Sequence, residues 1–366
     1  TGPGVAYQAR QLGLAFNAVL GIIMSLFLSL GAGTILSGVG VADALMQPAK
    51  TYLQIVGGFC ILNALIPICS SYLRAFGFSK EPLYASIIGN VINFCLNAFF
   101  LFVLHKGVAG VATATVISRI INLVIVVLLG AVLVKAKQHP ERESNRAVMG
   151  QIIRIGLPSA CETAIYNVSM TLVIRFLNQM DAQGLNVTAR SYTMQITNFS
   201  YCVGAALAQA NAIMTGWHIG AKEYDACDRG TRKAAIIGVI VAVILETMFA
   251  LCSGWIMQLF SKDPQMVSLV GKLLAIDIVL EMGRVTNLVY GQALKTSGDA
   301  VFPVVMGACF MILCSVGGTY LFGIRLGLLA VGAYIGMAGD ECVRAVGMYL
   351  RWKSGKWKEK GLVKSR

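Results

Sequence analysis

The sequence predicts an all-α integral membrane protein with ten transmembrane helices, on three observations. Of its 366 residues, 57% are hydrophobic and 13% charged, with a mean hydropathy of +0.72, whereas soluble domains carry about a quarter charged residues. Apolar stretches of roughly 20 residues or more, enough to cross a hydrocarbon core about 30 Å thick, follow one another along the chain. The ten-residue alternating segments that a membrane β-barrel needs are absent.

In order, the spans are expected at 12–36, 52–75, 82–104 and 107–134. The second closes on Arg74, and the third restarts at Pro82, where a missing N–H costs little in a first helical turn. The fourth begins after Lys106. The segment KAKQHPERESNRAVMGQ has no apolar run and serves as a cytosolic linker, 135–151. Six more spans follow at 152–177, 187–215, 234–260, 266–294, 301–322 and 326–350, and the chain closes on RWKSGKWKEKGLVKSR, a basic cytosolic tail at 351–366. Residues 1–134 thus form a four-span N-terminal bundle and 152–350 a six-span C-terminal bundle. The 39 glycines suit close helix packing in a bilayer.

A formal charge of +13 raises the question of a nucleic-acid partner. The positions of the basic residues answer it. With the loops numbered alternately, one set and both chain ends hold twenty of the 30 Lys and Arg residues, the other set five, and the spans the remaining five. This is the positive-inside bias of a multi-pass plasma membrane protein, placing both observed termini in the cytosol. The tail acts as a topological anchor, with contact to anionic membrane lipid as the alternative. Most of the ten cysteines stand alone in apolar spans, without C-x-x-C, and His105, His139 and His218 fall in separate loops, so no metal or other cofactor is expected. No phosphate-binding G-x-x-x-x-G-K-[ST] loop is present to support an ATP-driven pump.

The chain repeats itself. SYLRAFGFSKEP at 71–82 returns as QALKTSGDAVFP, with Arg74 matched by Lys295, Gly77 by Gly298 and Pro82 by Pro303, an offset of 221. KGVAGVA and RLGLLAVG match at an offset of 220, which sets Gly107 on Gly327. Six spans separate the copies, so both turns face the same side, the parallel repeat of many transporters. The second half has six spans and the first four, which implies a piece of a twelve-span protein that lacks its first two.

Ionisable groups within the spans are costly, so they are expected to face a cavity or a partner. Asp277, Glu281 and Arg284 stand at i, i+4 and i+7 on one helix face, followed by Asn287 and Tyr290. Two acids against one Arg leave a carboxylate free to gain and lose a proton. Glu162 in GLPSACETAIYN lies about 15 Å into its span, with Tyr166 one turn further on. It reads as a cation or proton site, or as a polar residue of a span that Pro158 starts. Glu246 in ILETMF joins the candidate cavity or makes an inter-helix hydrogen bond. Arg119, Asp340, Glu341 and Arg344 form the structural charge set, with GDECVR making its own pair or reaching the linker, while Arg175 and Arg190, near span ends, are expected to snorkel. Fifteen Met and 28 Phe and Tyr supply material for an adaptable apolar cavity.

With SYLRAFGFSKEP, NVINFCLN, GVAGVATATVISR, IGLPSACE, LEMGRVTNLVYGQALKTSGDAVFP, LGLLAVGAYIGMAGDECVR and RWKSGKW in this order, the chain resembles the MATE family, the multidrug and toxin extrusion transporters. The resemblance implies a twelve-helix, two-bundle, pseudo-twofold fold. It also implies a secondary antiporter that exports organic, often cationic, compounds in exchange for protons or sodium by alternating access. Such a protein is not an enzyme, works as a bacterial membrane monomer, and takes a small organic substrate. On this resemblance Pro158 begins the seventh helix, and Glu281 substitutes for a family carboxylate near the place of Arg284. The seventh-helix Glu of many members stands a turn deeper than Glu162, where this chain has Tyr166. Ion coupling is expected at Glu162, Asp277 or Glu281, with protons preferred to sodium. Tyr166, Arg284, Asn287, Tyr290 and Glu246 are expected to line the substrate cavity. The competing readings are a flippase for lipids or lipid-linked precursors, which needs a strongly cationic cavity, and an inactive truncated membrane protein.

Overall fold

A computed structural model describes residues 3–39, 43–134, 143–180 and 184–360. The expected linker at 135–151 and tail at 351–366 therefore lie partly outside the described residues. The chain divides into two compact units, Thr1–Ile152 and Ile153–Arg366, and no strand occurs among the described residues.

The first unit carries α1 (Pro3–Leu30), α2 (Ala32–Val39), α3 (Asp43–Tyr52), α4 (Ile61–Ala75), α5 (Lys80–Ala98) and α6 (Gly107–Leu133). Helix α1 starts well ahead of the expected 12 and breaks at Gly31, so the first span ends earlier than its hydropathy suggests. The second expected span is a bent pair: α3 passes through a wider π-helical turn, Leu53–Gly57, and restarts as α4 at an angle of 40°. Paired glycines and a π turn are the usual sites of such a bend.

The second unit is built from α7 (Asn145–Met180), which begins just before the unit boundary, α8 (Leu185–Gly220), α9 (Tyr224–Leu251), α10 (Ser253–Met257), α11 (Pro264–Thr296), α12 (Val301–Phe310) and α13 (Leu329–Lys353). Pro158 does not begin a helix but sits inside α7. The ring removes the backbone bond to the Arg154 carbonyl, an interruption that membrane helices tolerate. Helix α9 starts ten residues before the expected 234, because its first turns, although charged, remain helical outside the apolar stretch.

Among the described residues, five helical stretches are long and apolar enough to cross a membrane: Gly4–Leu30, Lys80–Val103, Gly107–Leu133, Tyr224–Leu251 and Val301–Arg325. The bent pair makes a sixth if it is one span. Helices α7, α8, α11 and α13 have 36, 36, 33 and 25 residues, long enough to cross. Their interior charges and amides keep them below that apolar standard, and these are the helices that build the site.

Backbone geometry supports the repeat and corrects one of its registers. Gly77 and Gly298 both take the left-handed conformation, at φ 89° and 93°. Phe78 N–H bonds the Leu73 carbonyl at 3.0 Å, and Asp299 N–H bonds that of Leu294 at 2.9 Å, so the two helix ends close identically at the expected offset. Further on, His105 and Gly107 have φ of 50° and 54°, and their equivalents are Gly327 and Leu329, at 69° and 54°. The offset there is 222, not 220. The single extra residue relative to the first turn enters where α12 widens into the π-helical Met311–Val316, since such a turn holds one residue more than an α turn.

Two close approaches fix α13. A Cβ on Gly283 of α11 would stand 2.8 Å from the Cys342 nitrogen, and one on Gly336 would stand 2.9 Å from the Cys314 carbonyl oxygen. Helix α13 therefore touches α11 on one side and the α12 arm on the other, backbone against backbone.

Candidate functional site

Within the second unit, α7, α8, α11 and α13 surround a cavity of about 660 Å³. The eighth expected span delivers its charges inward as its spacing requires: Asp277 is 2% exposed and Glu281 fully buried. Arg284 lies one turn on, half-buried. It donates to Glu281 Oε1 and, at 3.5 Å, to Glu341 Oε1 of α13. Asn287 Nδ2 donates to the other oxygen of Glu341 at 3.0 Å.

Helix α13 continues the network. Arg344 bonds both oxygens of Asp340 at 2.9 Å and reaches Glu341 Oε1 at 2.9 Å, while Ser315 Oγ donates to Asp340 Oδ2 at 2.9 Å. GDECVR thus makes its own pair and joins α11 through Glu341. Arg119 belongs to α6 of the first unit, whereas Asp340, Glu341 and Arg344 belong to the second. At the far end of α11, Lys295 lies 2.6 Å from Glu162 of α7, and both face the cavity.

Of the expected cavity residues, Tyr166, Arg284 and Asn287 line it, together with Glu162 and Asp277. Tyr290 does not. It is buried against Tyr349 and Trp352, with ring centroids 5.6 and 6.2 Å away, because one further turn along α11 carries it onto the hydrophobic cluster around Val285 and Met348. Glu246 and Glu281 stand behind the cavity wall rather than in it. Glu246 is 0% exposed, both its oxygens lack a hydrogen bond, and its electrostatic neighbours are Asp277, Glu281, Arg284 and the Ser200 hydroxyl. The surplus carboxylate anticipated on α11 is Asp277, whose Oδ2 is buried and unpaired.

Sequence reasoning missed α8. Beside the buried Ala189, Ile196 and Ile219, its buried face carries Asn186, Arg190, Thr193, Thr197, Ser200, Gly204, Ala208, Asn211 and Thr215. The steps of three and four residues are a helical stripe of polar and small groups, legible in the sequence as a face turned away from lipid. Arg190 does not snorkel: it is 6% exposed and lines the cavity. Arg175, by contrast, is exposed.

Comparison with known proteins agrees with this architecture. The MatE family model matches residues 3–99 and 158–321. An uncharacterized transporter, YisQ of Bacillus subtilis (strain 168), is 32% identical over 98% of this chain and 80% of its own length. The probable multidrug resistance protein NorM of Thermotoga maritima is 22% identical over 98% of this chain and 79% of its own. Among solved structures, the eukaryotic MATE transporter AtDTX14 superposes with a TM-score of 0.86 at 18% identity, over 98% of this chain and 82% of that one. A MOP superfamily transporter from Pyrococcus furiosus, for which the reverse polarity of the binding pocket suggests a different function, superposes at 0.85 and 17% identity over 97% and 83%.

Proposed function

This chain belongs to the MatE family of multi-pass membrane transporters, and on that premise we propose that it is a proton-coupled antiporter exporting small organic compounds through the cavity of its second unit. It is a transporter and not an enzyme, in keeping with its relatives among the multidrug resistance proteins. The observation that carries the coupling proposal is Asp277. It lines the cavity with an unpaired carboxyl oxygen, while the other two candidate coupling acids already hold cations, Glu162 through Lys295 and Glu281 through Arg284.

In its charged form Asp277 attracts a positively charged group into the cavity; a proton taken from outside removes that attraction and releases the cargo. Proton and substrate thus compete for one carboxylate, and each biases the alternation of the transporter between its two faces. The paired acids hold α7, α11 and α13 in register around it. The protein acts as a monomer in a bacterial plasma membrane, as its bacterial relatives suggest, and the twenty-to-five distribution of Lys and Arg supports an orientation with the basic loops in the cytosol.

Efflux of ethidium from cells expressing the protein tests the coupling. Efflux is expected to stop with a protonophore, to continue without sodium, and to fall at least about tenfold in Asp277→Asn, a loss typical of removing a working ionisable group. Efflux driven by a sodium gradient and preserved in Asp277→Asn would overturn the assignment.

A further inference from the structure

Among the described residues, three of the four basic side chains that line the cavity are committed to acids: Lys295 to Glu162, Arg344 to Asp340 and Glu341, and Arg284 to Glu281 and Glu341. The fourth, Arg190, is not. Among the described residues its one hydrogen-bond contact is a weak one, Nη2 to the thioether sulfur of Met170 at 3.7 Å, and its Nε is buried without a partner. A guanidinium is always charged and presents five donors in a planar fork, so leaving it buried against a thioether is costly unless something else occupies the fork.

Arg190 is also held where it is. One turn earlier on the same face, Asn186 Oδ1 accepts the Ala330 backbone N–H at 3.1 Å, pinning the start of α8 to the start of α13. One turn later, Thr193 is fully buried and bonds its own helix at 2.8 Å. The side chain of Arg190 is 6% exposed and faces the cavity. Its immediate wall is apolar and adaptable, with Met170 and Met194. Asp277 and Tyr334 line the same cavity, so the unpaired cation and the unpaired acid face one space.

We propose that Arg190 is the carboxylate-binding residue of this cavity, and that the preferred cargo is an organic compound carrying a carboxylate, which the guanidinium fork grips bidentately while the methionines hold the apolar body. A cationic group at the other end of the molecule would meet Asp277, making an amphoteric compound the best fit. The inference rests on the transporter reading for where the cargo goes, and on Arg190 for what the cargo is.

Equilibrium binding to the purified chain in nanodiscs separates the two. The probes are a dye pair differing only in esterification, rhodamine 110 with a free carboxylate and its methyl ester rhodamine 123, followed by fluorescence polarisation. The carboxylate dye is expected to bind at least about tenfold more tightly than the ester, as for a hydrogen bond to a charged group. Arg190→Gln should erase that preference while keeping ester binding, and Arg190→Lys should restore part of it. Retained ester binding also reports that Arg190→Gln is folded. Should that variant not fold, the acid-to-ester ratio of the wild-type chain decides alone. A ratio near one, no measurable binding of the carboxylate dye, or a preference that survives Arg190→Gln overturns the proposal. Loss of the preference in Arg190→Gln without any dye efflux from cells would sustain Arg190 and instead defeat the antiporter reading.

Discussion

The two halves of the repeat place their contacts at the same positions but make them from different chemistry. In the first unit Asn93 Nδ2 donates to Ser118 Oγ at 3.3 Å; 222 positions later the pair is Ser315 and Asp340, with Arg344 standing where the first unit has Asn122. Likewise Phe78 and Leu129 both pack on the apolar cluster of the first unit. Their equivalents are Asp299 and Arg351, joined at 2.7 Å with Arg351 over the Phe302 ring. One unit closes its helices with neutral and apolar contacts and the other with ion pairs, on a common backbone. The comparison teaches that the backbone frame of this fold does not require these charges at the compared positions.

Grafting the first unit's residues onto the second tests this, and the largest effect is expected at α13. Arg344→Asn alone strands Asp340 in a buried site and should destabilise the protein by about 3 to 5 kcal/mol. Asp340→Ser together with Arg344→Asn, which reproduces the neutral arrangement, should recover more than half of that loss. Thermal unfolding in detergent reads both, and a double variant no more stable than the single one breaks the equivalence. A smaller effect is expected at the second pair. Arg351→Leu should cost about 1 to 3 kcal/mol, since this Arg is partly exposed, and Asp299→Phe with Arg351→Leu should come back to within about 1 kcal/mol of the parent. The smallest and most symmetric effect belongs to the turns. Gly77→Ala and Gly298→Ala each force a Cβ into the left-handed region and should cost about 1 kcal/mol apiece. Unequal costs would show that the shared backbone is borne differently in the two halves.

Much of this was legible in the sequence. Hydropathy revealed helices because crossing a bilayer demands long apolar runs, and the repeat was visible because Gly and Pro at a turn answer to backbone constraints rather than to partners. The i, i+4, i+7 stripe of α11 predicted its inward face for the same local reason. Other features depended on contacts that spacing does not encode. Glu162 looked like a solitary acid because Lys295, its partner, lies on a different helix. Tyr290 looked like a continuation of the charged stripe, but one more turn rotated it onto the tryptophans. Arg190 was read by its nearness to a span end, when the polar stripe it shares with Asn186 and Thr193 was the better guide. The register of the second arm slipped because a π turn adds a residue without any compositional sign.

The glycine contacts of α13 carry a mechanical meaning. At Gly283 and Gly336 main chain rests on main chain, so at these two points no side chain stands between the helices to yield. Helices α11 and α13 and the α12 arm then travel as one rigid strut, and Asp277 rides on it. Asn186 ties the start of α8 to the start of α13, so Arg190 is carried with that strut, while Glu162 and Lys295 join α7 to it as a latch.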